Sequence, residues 1–250
     1  MSISIKIKEK FYLSKNRKDK IIALKNINTT INSKEFVCIV GPSGCGKTTL
    51  MNLIGGLVDL NNSEILINNE KLSSKNSLGY VFQTSRLMPW LNLYENIKLV
   101  CDEDVDTKKK IEEIFENFEL SEFSSAFPNT ISGGMRRKVA LARAFVNSPE
   151  VLLMDEPFVS LDQPTTENLY KVLIDYWKKK PTTVIFITHI LKEALLLGDR
   201  ILFFTKRPGT IVLDYKVRSQ RLPLKIDNKE VSKEYDALNK KYPSLLKGIL

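Results

Sequence analysis

The sequence predicts an α/β fold with a parallel-sheet core, an antiparallel β segment at its N-terminus and an inserted α-helical segment. Three observations lead there. Four apolar, largely β-branched runs, Phe36–Val40, Leu78–Phe82, Val151–Met154 and Thr183–Thr188, stop abruptly at Gly41, Gln83, Asp155 and His189. Three of them are almost continuously apolar, as strands buried on both faces of a parallel sheet are. The first thirty residues instead read as strands joined by the polar loop Ser14 to Lys20, and between Gln83 and Glu150 the apolar period becomes helical.

In chain order, the run at Phe36–Val40 opens the core and leads into a glycine-rich turn and a helix. The looser run at Leu78–Phe82 adds a second strand. Ile111, Ile114, Phe115 and Phe118 at helical spacing predict a helix over Thr107 to Phe118; Met135, Val139, Ala142 and Val146 predict another. The strands at Val151, Thr183 and Ile201–Phe204 complete the sheet. The end, with turn-prone Pro223, an amphipathic Glu230 to Lys241 and Pro243, reads as a short helical tail. The expected organisation is one domain over residues 1–220, with its helical part at about 84–150, and a tail over 221–250.

The chain has 250 residues, enough for one large core. No run approaches the roughly 20 apolar residues of a membrane span. The alternating start Met1-Ser2-Ile3-Ser4-Ile5-Lys6 lacks the apolar centre of a signal peptide, so a cytoplasmic location is expected. Cys38, Cys45 and Cys101 form no CxxC and imply reduced thiols rather than a disulfide framework or zinc site. A net charge of +9 raises nucleic acid or an anionic membrane as partners. The lysines are scattered and no basic stripe interleaves with aromatics, which favours ordinary solvated faces, then a membrane periphery, and no nucleic acid.

Polar or glycine residues at four strand ends point to one ligand site, because open parallel sheets bind ligands beyond their carboxyl ends. Gly41-Pro42-Ser43-Gly44-Cys45-Gly46-Lys47-Thr48-Thr49 fits the phosphate-loop pattern between a strand and a helix. Backbone N–H groups there wrap phosphates, Lys47 reaches the β- and γ-phosphates of ATP, and Thr48 ligates Mg²⁺. Asp155 suits the second Mg²⁺ position of such nucleotide hydrolases, and Glu156 is placed to polarise the attacking water. Ser132-Gly133-Gly134 reads as a helix start with Ser132 as N-cap. Arg136, Arg137 and Lys138 then occupy the first turn, where cations oppose the helix dipole; an anion delivered at that end would relieve the conflict.

In this order the motifs resemble those of the ATP-binding subunit of ABC transporters. They are Walker A at Gly41–Thr48, Q-loop Gln83, signature Ser132-Gly133-Gly134-Met135, Walker B through Asp155, catalytic Glu156, D-loop Ser160-Leu161-Asp162 and switch His189. The resemblance covers nearly the whole chain. It implies a P-loop NTPase (RecA-like) core and two subunits stacked head to tail, as a homodimer or pseudo-dimer. Ser132, Gly133 and Gly134 of one subunit would then bind the γ-phosphate held by Lys47 of the other, with Asp162 also at the nucleotide. Gln83 would sense γ-phosphate and Mg²⁺, and His189 would contact the γ-phosphate. Phe11 or Tyr12 would stack on adenine, and spacing does not decide which.

Gln83 to Leu91, with its Pro89-Trp90, and Lys206-Arg207-Pro208-Gly209 resemble the nitrate, sulfonate and taurine importer group. That implies an ATPase on the cytoplasmic side of the inner membrane, contacting permease subunits through Arg86 to Asn96 and, indirectly, a periplasmic or extracellular solute-binding protein. An exporter or lipid-transport ATPase, or a non-transport ABC ATPase, is the alternative. Three residues depart from the family's commonest pattern: Met135 for glutamine, Lys34 where glycine often precedes Glu35, and Ile190 for aspartate after His189.

Overall fold

Period-two alternation builds the first sheet. In β1 (Ser2–Leu13) Ile3, Ile5 and Ile7 are buried, and across the antiparallel pair β2 (Lys20–Asn32) sets Ile31 opposite Ile3 and Ile27 opposite Ile7. On the other edge β4 (Ser63–Ile67) brings Ile67 against Ile3 and Ile65 against Ile5, and β5 (Glu70–Lys71) closes the meander. The isoleucines form one apolar face, as cross-strand packing favours. The computed structural model describes residues 2–13, 19–61, 63–71, 77–102, 106–219 and 223–243. Most of the expected polar loop (residues 14–18) and the chain end (residues 244–250) lie outside them.

The chain divides into two compact units, residues 1–76 with 183–250, and residues 77–182. The first holds the sheet just described and β3 (Phe36–Val40), buried at every residue. β3 pairs in parallel with β8 (Thr183–Thr188) on one side and β9 (Arg200–Phe204) on the other. β10 (Ile211–Lys216) returns antiparallel to β9. The helices of this unit are α1 (Lys47–Ile54), α6 (Leu191–Leu197) and α7 (Lys229–Lys241). Glu234 ties α7 to the sheet by accepting from Tyr215 Oη at 2.6 Å, Arg218 N at 2.8 Å and Ser219 N at 2.7 Å.

The second unit pairs β6 (Leu78–Val81) in parallel with β7 (Val151–Asp155). Its helices are α2 (Leu93–Lys98), α3 (Thr107–Asn117), α4 (Gly133–Phe145) and α5 (Gln163–Lys179). Phe118, Phe145 and Tyr176 meet with ring centroids 4.9–6.1 Å apart and anchor its core. Buried Asn96 accepts from Met88 N at 2.7 Å and donates to the carbonyls of Met88, Leu91 and Asn92. It thereby fixes the turn on which Trp90 stands 71% exposed. No helix among the described residues is long and apolar enough to cross a membrane.

Candidate nucleotide site

In the first unit the phosphate loop leaves the carboxyl end of β3 and enters α1. Gly46 has φ 107, and a Cβ there would come within 2.7 Å of Ala23 O, so only glycine fits. The Lys47 ammonium turns back into the loop and donates to Gly41 O at 2.8 Å and Pro42 O at 3.0 Å. The loop is thus a ring of backbone dipoles with a buried cation inside it, a receptor for a polyphosphate. Cys45 is buried, and burial pushes its thiol pKa up. It fills space as an inert thiol.

His189 is exposed just past β8. Its backbone is held from both sides. Thr188 Oγ1 donates to buried Glu193 of α6 and accepts from Ile190 N at 3.0 Å. Phe11 and Tyr12 sit beside a register shift in β1, the first half-buried, the second 40% exposed. Lys20 Nζ lies 4.3 Å from the Phe11 ring centroid and Lys10 Nζ 5.2 Å from that of Tyr12. Both rings therefore carry a cation, and cation–ring contact does not separate them as partners of a base.

In the second unit β7 delivers Asp155, buried, and then Glu156, partly exposed. Glu156 has φ 45, a left-handed backbone that a side-chain-bearing residue adopts at some cost. That conformation brings its carboxylate to Gln83, whose Nε2 donates to Glu156 Oε2 at 3.4 Å. Gln83 and Glu156 are thus side by side, with Asp155 adjacent in sequence. Ser132 caps α4 as expected, its Oγ accepting from Met135 N at 3.2 Å, and its side chain is exposed. Gly133 is half-buried and Gly134 packs against Thr165. Asp162 caps α5, accepting from Thr165 N at 2.9 Å and Thr165 Oγ1 at 2.8 Å; these bonds hold its carboxyl below the usual range.

The cations at the start of α4 have a different explanation from the anion that the sequence invites. Arg136 donates to Ile131 O at 2.6 Å and Pro128 O at 3.2 Å. Arg137, buried, donates to Phe82 O at 3.0 Å and Gln83 O at 2.6 Å. Lys138 pairs with Glu119 at 2.5 Å. Each positive charge is satisfied within the unit, so the charge conflict alone carries no argument for an external phosphate. Two turns on, Arg143 donates to Ser85 O and Arg86 O, both at 2.9 Å. Arg137 and Arg143 together clamp the Q-loop backbone to α4, a role the sequence reading misses. Arg207 stands in the sequence only as part of a subgroup resemblance; in the structure its Nε donates to Gly44 O of the phosphate loop at 3.1 Å.

A family model described as ABC transporter matches residues 24–159. The aliphatic sulfonates import ATP-binding protein SsuB of Bacillus subtilis is 40% identical over 213 residues, 84% of this chain and 83% of that protein. The protein of the same name from Bacillus cereus is 38% identical over 243 residues, 96% and 94% of the two chains. The taurine import ATP-binding protein TauB of Roseobacter denitrificans is 34% identical over 220 residues, 86% of this chain and 82% of that one. Among solved structures, a dimeric post-hydrolysis state of the ATP-binding cassette MJ0796 bound to ADP and Pi superposes with a TM-score of 0.74 at 32% identity. It covers 87% of this chain and 100% of that one. The mixed parallel and antiparallel sheets with their helices are those of a P-loop NTPase. The chain belongs to the ABC transporter family, as one of its ATP-binding, ATP-hydrolysing members.

Proposed function

We propose that this chain energises an importer for a small sulfonate such as taurine or an alkanesulfonate, or for nitrate. It works as a dimer on the cytoplasmic face of the membrane, bound to permease subunits that receive solute from a binding protein outside. Relatives named as sulfonate and taurine import subunits, similar along most of the chain, support the solute class. The domain acts as one ATPase over residues 1–220, with 221–250 as an appendage. The Asn96-braced turn carrying Trp90 is the part that touches the permease.

The hydrolytic roles are assigned as follows. Gly41 to Thr49 bind the phosphates, with Lys47 on the β- and γ-phosphates. Phe11 or Tyr12 stacks on adenine. Thr48, Gln83 and Asp155 offer a hydroxyl, an amide and a carboxylate, hard oxygen donors suited to Mg²⁺ held jointly with phosphate rather than in a protein cage. Bound there, Mg²⁺ neutralises phosphate charge. Glu156 takes the proton of the attacking water, and Gln83 and His189 hold the surroundings of the γ-phosphate. Ser132, Gly133, Gly134 and Asp162 complete the site on the second subunit.

The observation that carries the hydrolytic assignment is the Gln83–Glu156 contact at 3.4 Å on a left-handed Glu156 backbone. Replacing Glu156 by Gln keeps that backbone and removes the base. ATP binding is expected to persist while kcat falls by about 100-fold or more, the scale of general-base loss. A fall of less than about tenfold refutes Glu156 as the base. For the solute, cells lacking this chain are expected to lose uptake of labelled taurine, alkanesulfonate or nitrate; undiminished uptake of all three overturns the solute class.

A further inference from the structure

The turn joining β9 to β10 is built against the phosphate loop. Thr205 closes it: Thr205 Oγ1 donates to Pro208 O at 3.1 Å and accepts from Thr210 N at 3.0 Å. Gly209 stitches it to β2, its N–H donating to Ala23 O at 2.9 Å and its carbonyl accepting from Lys25 N at 3.0 Å. Held so, Gly209 rests on the loop itself; a Cβ there would come within 2.2 Å of Cys45 O, and any side chain would push the loop away. From the same turn Arg207 reaches the loop's outer side and bonds Gly44 O at 3.1 Å.

That bond acts on the loop's inner side as well. The Gly44–Cys45 peptide is planar and trans, so its N–H points opposite to its carbonyl. With Gly44 O fixed outward on a guanidinium, Cys45 N–H is fixed inward, where it meets Pro42 O at a long 3.3 Å. A phosphate oxygen can replace so long a bond. A cation on the carbonyl also polarises the peptide and makes its N–H a stronger donor. Arg207 touches neither substrate nor a reacting atom by this route; it acts through one peptide plane.

We propose that Arg207 is a positioning residue for nucleotide, aiming and polarising the Gly44–Cys45 peptide from outside the phosphate loop. The proposal presupposes that Gly41 to Thr49 hold the phosphates. Its test compares Arg207→Ala, Arg207→Lys and Lys47→Ala in the full chain, by equilibrium binding of ATP and ADP, by kcat and KM, and by Tm without nucleotide. For Arg207→Ala, Kd for both nucleotides and KM for ATP are expected to rise about fivefold, as for loss of one charge-assisted bond partly open to water. Its kcat stays within about twofold of wild type, and its nucleotide-free Tm within about 2 °C. Arg207→Lys falls in between, because an ammonium keeps the charge without the planar fork. Unchanged Kd for Arg207→Ala, or a Kd change matched by a lower nucleotide-free Tm, overturns the proposal. Lys47→Ala separates the two levels. If it binds ATP normally, the phosphate-loop assignment itself falls; if it loses binding while Arg207→Ala does not, only the positioning role falls.

Discussion

Glu156 and Lys34 both hold left-handed backbones, with φ 45 and 61, and for different reasons. At Glu156 the conformation brings a carboxylate to Gln83. At Lys34 the backbone turns between β2 and β3, and Lys34 N donates to Thr183 Oγ1 at 3.0 Å. That φ explains why glycine commonly precedes Glu35 in this family, a departure that sequence alone could only record. Lys34→Gly should therefore stabilise by about 0.5–1 kcal/mol, raising Tm by about 1–4 °C in a thermal melt. A lower Tm would show that the turn is not strained. Lys47, Gln83, Asp155, Glu156 and His189 are legible as candidates because each follows or closes an apolar run or sits in a fixed motif. The bonds of Arg137, Arg143 and Arg207 are not legible, because a side chain bonding carbonyls 54 to 163 positions away leaves no spacing pattern in the sequence.

At the scale of elements, α4 joins the exposed Ser132 to the Q-loop, since Arg137 and Arg143 of the same helix carry the carbonyls of Phe82, Gln83, Ser85 and Arg86. Arg137→Ala leaves two carbonyls without a charged donor and should cost about 2–3 kcal/mol in denaturant unfolding. A cost under about 0.5 kcal/mol would show that water replaces the guanidinium. The strands β3, β7 and β8 are read directly from the sequence, being almost continuously apolar and buried at every residue. The short β4 and β5, the six-residue α2 and the long α5 have no counterpart in the sequence expectations. Elements of two to six residues are too brief for a period to show. The tail helix α7 is tied by Glu234. Burial pushes that carboxyl up, and bonds from Tyr215, Ser219 and Arg218 outweigh it, leaving the pKa below the ordinary value. A lowered folded pKa stabilises fully above the unfolded value of about 4.3 and loses that contribution as pH falls through the folded one. Glu234→Gln should remove this acid-side loss from the stability–pH curve; a curve unchanged below about pH 4.5 would contradict it.

At the scale of the molecule, the exposed Ser132 and the phosphate loop belong to different units. The charges near Ser132 are met internally, so the case for a shared site rests on the exposed Ser132 cap and on the family to which the chain belongs. The dimer is the central claim, and it has a direct measurement. Lys47→Ala and Ser132→Arg subunits each spoil both sites of their own homodimer. Mixed, they place both lesions in one site and leave the other intact. Co-assembled with the permease, the mixture should regain ATPase well above either parent, toward about a quarter of wild type if subunits pair at random and the intact site works independently. No rise above the parents would contradict a site completed by Ser132 of a second subunit.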